Sequence, residues 1–557
     1  MKTLLCSLNS KYIHSSLAVH YLAAGVDLYC KSDIDLTIME GTINQQDSVI
    51  LDNIVFHRPD LIAFSTYIWN ITTIKRLLPI LKNLLPDARI LLGGPEVSYH
   101  PETVMMELPA VDYIICGEGE LSFAAFLDCM AENISPHAVP ALCYRQDGMV
   151  VKNPPDEVLP EPPGPYTDAY FRMLQGRIAY LETSRGCPFS CAFCLSGDSC
   201  GVRFFSLERA KQELCLLAGS GTQTVKLVDR TFNCNRNRAY ELFRFLIERA
   251  NGFPEGIRFH FEVAADLFDE ETIGLLSSAP PGLFQFEAGI QSFNPATLAA
   301  VSRKTDTNKL FQNLQSLISM QNIHIHIDLI AGLPYETLES FIASFNTAYS
   351  LSPHVLQLGF LKLLHGSQLR AEADRYGYVY HETAPYEFVS NMFLTKEETQ
   401  KLKRIEDALD RLYNSGRFAF TLQYLLGVMG LSPYELFSDF SEYLSFSFET
   451  TSVPLEEYTK AVFDLFSTAE KVDKTILRDV MVMDRIRCEN TGKLPRCLRV
   501  EDDRLKQIVS ILKASPPYRN KRFGAALLYS DGEKVIIADY TKKDPVTGHY
   551  DFIIQSL

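Results

Sequence analysis

Over the first 130 residues, short runs of apolar and β-branched residues alternate with longer stretches whose apolar positions recur every three or four residues. Thr3–Leu8, Asp35–Met39, Leu61–Ser65, Arg89–Leu92 and Tyr113–Cys116 read as strands. Leu17–Tyr29, Asp47–His57, Ile71–Leu84 and Glu120–Ala131 read as helices. Strands separated by helices predict an α/β fold with a parallel, doubly wound sheet. Such sheets bind ligands beyond the carboxyl ends of their strands. Those ends carry Asn9–His14, Ser65-Thr66-Tyr67, Gly93-Gly94-Pro95-Glu96 and Gly117-Glu118-Gly119-Glu120.

A Pro-dense stretch follows, and it cannot continue a helix or a central strand. It predicts a linker over 141–174 between a first domain, 1–140, and a second, 175–372. The second domain repeats the strand–helix alternation, with strands at Ala179–Thr183, Thr224–Val228, Arg258–Val263, Leu283–Gly289, His324–Ile330 and Val355–Phe360, the last running on through Lys362. Leu207–Leu217, Arg238–Ala250 and Leu310–Met320 are helical patterns between them. Six such units predict a (β/α)₆ partial TIM barrel with its site at the C-terminal ends of the strands. A mainly helical domain, 373–557, includes Lys396–Tyr413, Arg417–Leu426 and Leu455–Thr468. It closes in a small meander, Ala525–Tyr529, Glu533–Tyr540 and Tyr550–Ile554, with Ser530-Asp531-Gly532 as a turn.

The chain of 557 residues has a formal charge of −15, which argues against gripping nucleic acid through its phosphates. No apolar run approaches the ~20 residues of a membrane span, and Met1–Ser10 lacks the features of a signal peptide. A cytoplasmic location, with no membrane partner, is expected. There the thirteen cysteines are not a disulfide framework. Nine are scattered, as small buried hydrophobes often are.

The other four, Cys187, Cys191, Cys194 and Cys200, crowd into fourteen residues. Cys187-Pro188-Phe189-Ser190-Cys191-Ala192-Phe193-Cys194 spells C-x-x-x-C-x-x-C just after the first barrel strand. Three thiolates on one loop hold three irons of a [4Fe–4S] cube and leave the fourth iron open. The competing reading is structural zinc with Cys200 as fourth ligand, although zinc sites favour two short-spaced pairs. With Thr183–Pro188, Val228–Asn233, Glu287–Ser292 and Asp328–Pro334, the motif resembles the radical S-adenosylmethionine enzymes over roughly 175–370. The resemblance implies that the open iron chelates S-adenosylmethionine and that one-electron reduction yields a 5′-deoxyadenosyl radical. It also implies cofactor contacts from Phe193, Asp229, Glu262, Glu287, Gln291 and Asp328. His324 and His326 share one strand face, as substrate neighbours or as satisfied core histidines.

Gly93–Ser98 with Pro101-Glu102, then Asp112–Glu120, resemble the Rossmann-like cobalamin domain of the class B members of that superfamily. This implies cobalamin contacts from Asn9, Tyr12, His14, Ser65, Thr66, Tyr67, Gly93, Gly94, Glu96, Gly117, Glu118 and Gly119. No histidine has Asp two places before it, so the D-x-H-x-x-G cobalt ligand of other cobalamin proteins is missing. The region around Leu477–Val480 and Leu494-Pro495 resembles an uncharacterised domain, expected to cover the barrel mouth. The family most often methylates unactivated carbons of small molecules or peptides, with electrons from a flavodoxin or ferredoxin. Rearrangement, cyclisation or oxidation, RNA modification, and non-catalytic cobalamin binding stand as alternatives.

Overall fold

The computed structural model describes residues 1–155, 158–198, 201–448, 453–514 and 516–557. Seven strands form the N-terminal sheet: β1 (Lys2–Asn9), β2 (Asp35–Thr42), β3 (Leu61–Ser65), β4 (Arg89–Gly93), β5 (Tyr113–Ile115), β6 (Leu142–Gln146) and β7 (Met149–Lys152). Their order is β2-β1-β3-β4-β5-β6-β7, and the first five pair in parallel. Leu4, Cys6 and Leu8 of β1 join one apolar cluster, while Leu5 joins the other. Helices Asp47–His57 and Ile71–Leu84 cover the first face, and Ala18–Tyr29 and Glu120–Glu132 the second. Burial on both faces is why these strands read as nearly unbroken apolar runs.

β6 and β7 correct the expected linker start at residue 141, because they extend the sheet as an antiparallel hairpin. Asp147 and Gly148 turn it with φ of 50° and 79°, the two left-handed residues of a type I′ turn. The linker begins only at Asn153.

The central strands are β8 (Ala179–Leu181), β9 (Ser184–Gly186), β10 (Val202–Phe204), β11 (Thr224–Leu227), β12 (Arg258–Val263), β13 (Phe284–Gln291), β14 (His324–Ala331) and β15 (Val355–Phe360). β9 and β10 pair antiparallel around the cysteine loop, and the other six form one sheet, β15-β14-β13-β12-β11-β8. β15 does not run on through Lys362, which instead bridges to Glu387. A two-stranded ribbon follows, β16 (Val379–Tyr380) with β17 (Phe388–Ser390).

Backbone proximity gathers the chain into two units. The first is Met1–Glu262 with Val301–Lys304 and Leu361–Val389. It holds the N-terminal sheet, the cysteine loop and strands β8 and β11. The second is Val263–Ala300, Thr305–Phe360 and Ser390–Leu557, with β13 to β15, the C-terminal helices and the meander β18 (Phe523–Leu528), β19 (Lys534–Lys543) and β20 (Tyr550–Ser556).

Within the second unit, the Asn414 side chain bonds both backbone groups of Leu356, at 2.8 and 2.9 Å. It acts as a one-residue strand along the β15 edge, blunting a surface that otherwise invites pairing. Two helices absent from the sequence reading, Pro433–Ser447 and Lys474–Cys488, carry their own start signals. Ser432 and Glu435 form a capping box, and the Asp473 carboxylate accepts from the Thr475 and Ile476 amides. The loop after β19 meets the start of β14, where the Val546 carbonyl lies 3.0 Å from His324 Nδ1. This part of the C-terminal segment therefore sits at the N-terminal ends of the strands, not over the mouth as expected. No helix among the described residues is long and apolar enough to cross a membrane.

Candidate active site

The cysteine loop is held from several sides. Asp229, at the end of β11 and 2% exposed, accepts from the Thr183 amide (3.0 Å), Thr183 Oγ1 (2.7 Å) and Ser184 Oγ (2.5 Å). Its expected contact with S-adenosylmethionine is corrected: the carboxylate is enclosed and anchors the strand end that launches the loop. Within the loop the Cys194 amide turns back to the Cys191 carbonyl at 2.9 Å. The Ala192 amide bonds the Val301 carbonyl, and the Leu369 amide bonds the Ala192 carbonyl. Phe193 between the two cysteines is half-buried.

Cys187 Sγ lies 3.5 Å from Thr231 Oγ1, and Arg303 donates to Cys191 Sγ at 3.8 Å. Burial pushes the Cys191 thiol up; the Arg303 guanidinium draws it down, and Cys194 and Cys187 add repulsion. The three sulfurs thus lie within electrostatic reach of one another. Among the described residues no three His, Cys, Asp or Glu side chains converge tightly enough to chelate a single ion. A cube binds each thiolate to a different iron, so its ligands stand wider apart than those of one zinc, and the donor set fits a cluster. A cavity of about 580 Å³ opens on Cys191 and Cys194, with Arg370 and Tyr380 in its wall. Cys200 lies outside the described residues.

A larger cavity, about 910 Å³, opens at the carboxyl ends of β3, β4 and β5. Ser65, Tyr67, Gly93, Gly94, Glu96 and the Gly117–Gly119 turn line it, with Cys194 from the cysteine loop. Gly94 has φ 110°, and a Cβ there would stand 2.4 Å from the Thr66 carbonyl oxygen. Only glycine allows the two loops to cross at that distance. Tyr67 stacks on Trp69 at 4.3 Å, and both rings line the chamber. Ser65 Oγ is buried there without a hydrogen-bond partner. A roomy, mostly apolar chamber with an unsatisfied hydroxyl fits a large ring system edged by amides.

Four residues expected at cobalamin are not in that lining. Thr66 spends its amide and hydroxyl on the Gly93 carbonyl. Asn9 Nδ2 bonds Glu40 at 2.9 Å, beside the buried Glu40–Arg177 ion pair. Tyr12 is 71% exposed, and His14 Nδ1 lies 2.6 Å from the Tyr180 hydroxyl. Glu96 does line the chamber, but accepts from the Tyr386 hydroxyl at 2.8 Å, and burial raises its carboxyl.

Sequence reasoning missed Arg185. Its guanidinium bonds Glu118 (2.7 Å), Glu120 (2.5 Å) and Glu182 (2.9 Å), while Arg203 takes Glu118 from the other side. Burial lowers its affinity for a proton, but the Glu182 and Glu120 carboxylates raise it further, so the cation is locked in. The signal was present: two glutamates in one glycine turn require a cation, and Arg185 stands two residues before Cys187.

Of the remaining carboxylates and amides, Glu262 on β12 pairs with Lys226 at 3.5 Å. On β13 Glu287 shares its half-buried face with Gly289 and Gln291, and it lies opposite His326 of β14. Gln291 has φ 72°, and its amide folds over Gly289 so closely that a Cβ there would meet it at 2.2 Å. Its Oε1 is buried with no hydrogen-bond partner, an acceptor open to a ligand's donor. Asp328 pairs with His326 at 3.0 Å, whereas His324 is satisfied at the far end of the same strand.

A glycine-cradled chamber on a parallel sheet, sharing a wall with a three-cysteine loop that opens a second parallel α/β sheet, defines a two-cofactor α/β protein. Residues 5–127 match the B12 binding domain and residues 181–348 the radical SAM superfamily. Residues 374–523 match a protein family of unknown function, DUF4080. Together the B12 binding and radical SAM matches support a place in the cobalamin-binding, class B branch of the radical S-adenosylmethionine enzymes, and with it a cofactor set of [4Fe–4S] cluster, S-adenosylmethionine and cobalamin. It is 29% identical over 314 residues to 2-(S-pantetheinyl)-carbapenam-3-carboxylate methyltransferase of Streptantibioticus cattleyicolor, covering 51% of this chain and only 44% of that one. It is 25% identical to the uncharacterized methyltransferase PH0819 of Pyrococcus horikoshii, over 63% of this chain and 77% of that protein. In fold it is similar to the cobalamin-dependent S-adenosylmethionine radical enzyme OxsB, with TM-score 0.60, 14% identity, and coverage of 92% of this chain and 80% of that one.

Proposed function

We propose that the protein is a cobalamin-dependent radical S-adenosylmethionine methyltransferase acting on an unactivated carbon of a small molecule or peptide. One observation carries the reading: Cys194 and the Gly93–Gly94 and Gly117–Gly119 turns line the same cavity. A methyl group held by one cofactor reaches only a centre activated beside it, so the two cofactor loops must share a chamber. When bound, the cluster with S-adenosylmethionine supplies one-electron bond cleavage and cobalamin supplies a methyl carrier, chemistries no side chain offers.

The chain's own residues hold and orient. Cys187, Cys191 and Cys194 ligate the cluster. Glu262, Glu287 and Gln291 present acceptors to the ammonium and ribose hydroxyls of S-adenosylmethionine, and by the family resemblance Phe193 and Asp328 are further contacts. Ser65, Tyr67, Gly93, Gly94 and Gly117–Gly119 cradle cobalamin, and Arg185 fixes the Glu118 turn. None of the twelve described cysteines forms a disulfide, which suits a reducing compartment such as the cytoplasm, and a flavodoxin or ferredoxin supplies electrons.

The test is an anaerobic assay with labelled S-adenosylmethionine and cell extract as substrate source. A methyltransferase makes S-adenosylhomocysteine and 5′-deoxyadenosine in about equal amounts. Substrate-dependent 5′-deoxyadenosine without S-adenosylhomocysteine above background removes the methyl-transfer reading and leaves rearrangement, cyclisation or oxidation.

A further inference from the structure

Val301–Lys304 belongs by proximity to the first unit, although the residues on either side of it belong to the second. Its Val301 carbonyl accepts from the Ala192 amide at 2.9 Å, inside the cysteine loop. Two residues on, the Arg303 guanidinium donates from 3.8 Å to Cys191 Sγ, and Cys191 is only 7% exposed. An N–H···S bond from a fixed cation stabilises negative charge on sulfur, and in a partly desolvated setting it does so more strongly than in water. Reducing a cluster adds one electron to a site that already carries thiolates, in a chain of net charge −15. The reduced state gains more from such a donor than the oxidised state does.

We propose that Arg303 is a positioning residue that raises the reduction potential of the cluster through its bond to the Cys191 thiolate. The electron comes from an external low-potential one-electron donor, no bond to the protein forms or breaks, and Arg303 keeps its proton throughout. This rests on the reading that Cys187, Cys191 and Cys194 hold the cluster. Arg303 does not touch the reacting atoms; its action is on how readily the electron enters.

The experiment is an anaerobic redox titration of the reconstituted full-length protein with dithionite and mediators, following the reduced cluster by electron paramagnetic resonance. Iron and sulfide are counted first. Arg303→Gln should keep its iron and lower the reduced-to-oxidised ratio at a fixed potential about tenfold, equivalent to about 59 mV for one electron. Arg303→Lys, which keeps the charge but not the planar fork, should fall between the two. Lys304→Gln, on the exposed neighbour in the same segment, should titrate like the wild type. A fully loaded Arg303→Gln with an unshifted potential overturns the proposal. So does loss of iron from both Arg303 variants with an unchanged thermal melt, which would make Arg303 a loop anchor instead. Absence of iron from the wild type would overturn the cluster reading itself, a separate failure.

Discussion

Gly94 shows how far one atom controls the cobalamin chamber. A methyl group there would meet the Thr66 carbonyl at 2.4 Å, and its φ of 110° disfavours any side chain. Gly94→Ala is expected to cost about 1–3 kcal/mol and to widen the crossing of the two loops. Cobalamin titration followed by visible absorbance should show at least tenfold weaker binding, alongside a lower melting temperature. At the cysteine loop, Cys187→Ala, Cys191→Ala and Cys194→Ala should each lose the iron that the wild type takes up on reconstitution. Cys200→Ala and Cys234→Ala should keep it, as iron and sulfide analysis will show. The three-cysteine spacing was legible because it is local. For Arg185 the Glu118–Glu120 turn signalled a cation but not which one, because Glu120 lies 65 residues away, and Arg303, 112 residues from Cys191, carries no local mark.

At the scale of elements, apolar runs and helical periodicity located the N-terminal and barrel strands to within a few residues, since those strands are either buried throughout, as in β3, or alternate buried with half-buried positions, as in β13 and β14. The Leu142–Lys152 hairpin escaped because the prolines after it drew the boundary too early, although Asp147-Gly148 is a hairpin signal. The helix Ala419–Met429 shows a different dependence: its first amides are capped from another helix. The Asp484 carboxylate accepts from the Phe420 and Thr421 amides and from Thr421 Oγ1. Burial raises this carboxyl from 3.8 to about 6. The folded protein therefore binds that proton more tightly than the unfolded chain does. The corresponding stability is full below about pH 4 and is lost as pH rises through about 6. Asp484→Asn keeps an acceptor and removes the titration. Relative to wild type, its unfolding free energy should rise by about 2 kcal/mol between pH 4 and pH 7 in chemical denaturation.

For the whole molecule, the described residues lining the larger cavity include no histidine, and His14, the histidine expected at cobalamin, is bonded to Tyr180. Bound cob(II)alamin should therefore show no three-line nitrogen splitting from a protein ligand in its electron paramagnetic resonance spectrum. A clear triplet would require rearrangement of the chamber and return His14 to consideration. The sequence excludes the usual histidine motif, and among the described residues the fold adds no histidine to the chamber wall.

The returning segment Leu361–Val389 has a consequence for how the chain is made. Tyr386 satisfies the buried Glu96, and Gly366, at φ 88°, leaves the space that the Tyr99 ring fills. The first unit is thus complete only after residue 389 has left the ribosome, more than two hundred residues after its sheet has closed at Lys152. At roughly 5–20 residues per second, the nascent sheet waits ten seconds or more with an unpaired acid and an open chamber. Vectorial synthesis therefore presents chaperones with a half-built cofactor pocket, and cobalamin has no finished cradle to enter until translation has passed the barrel.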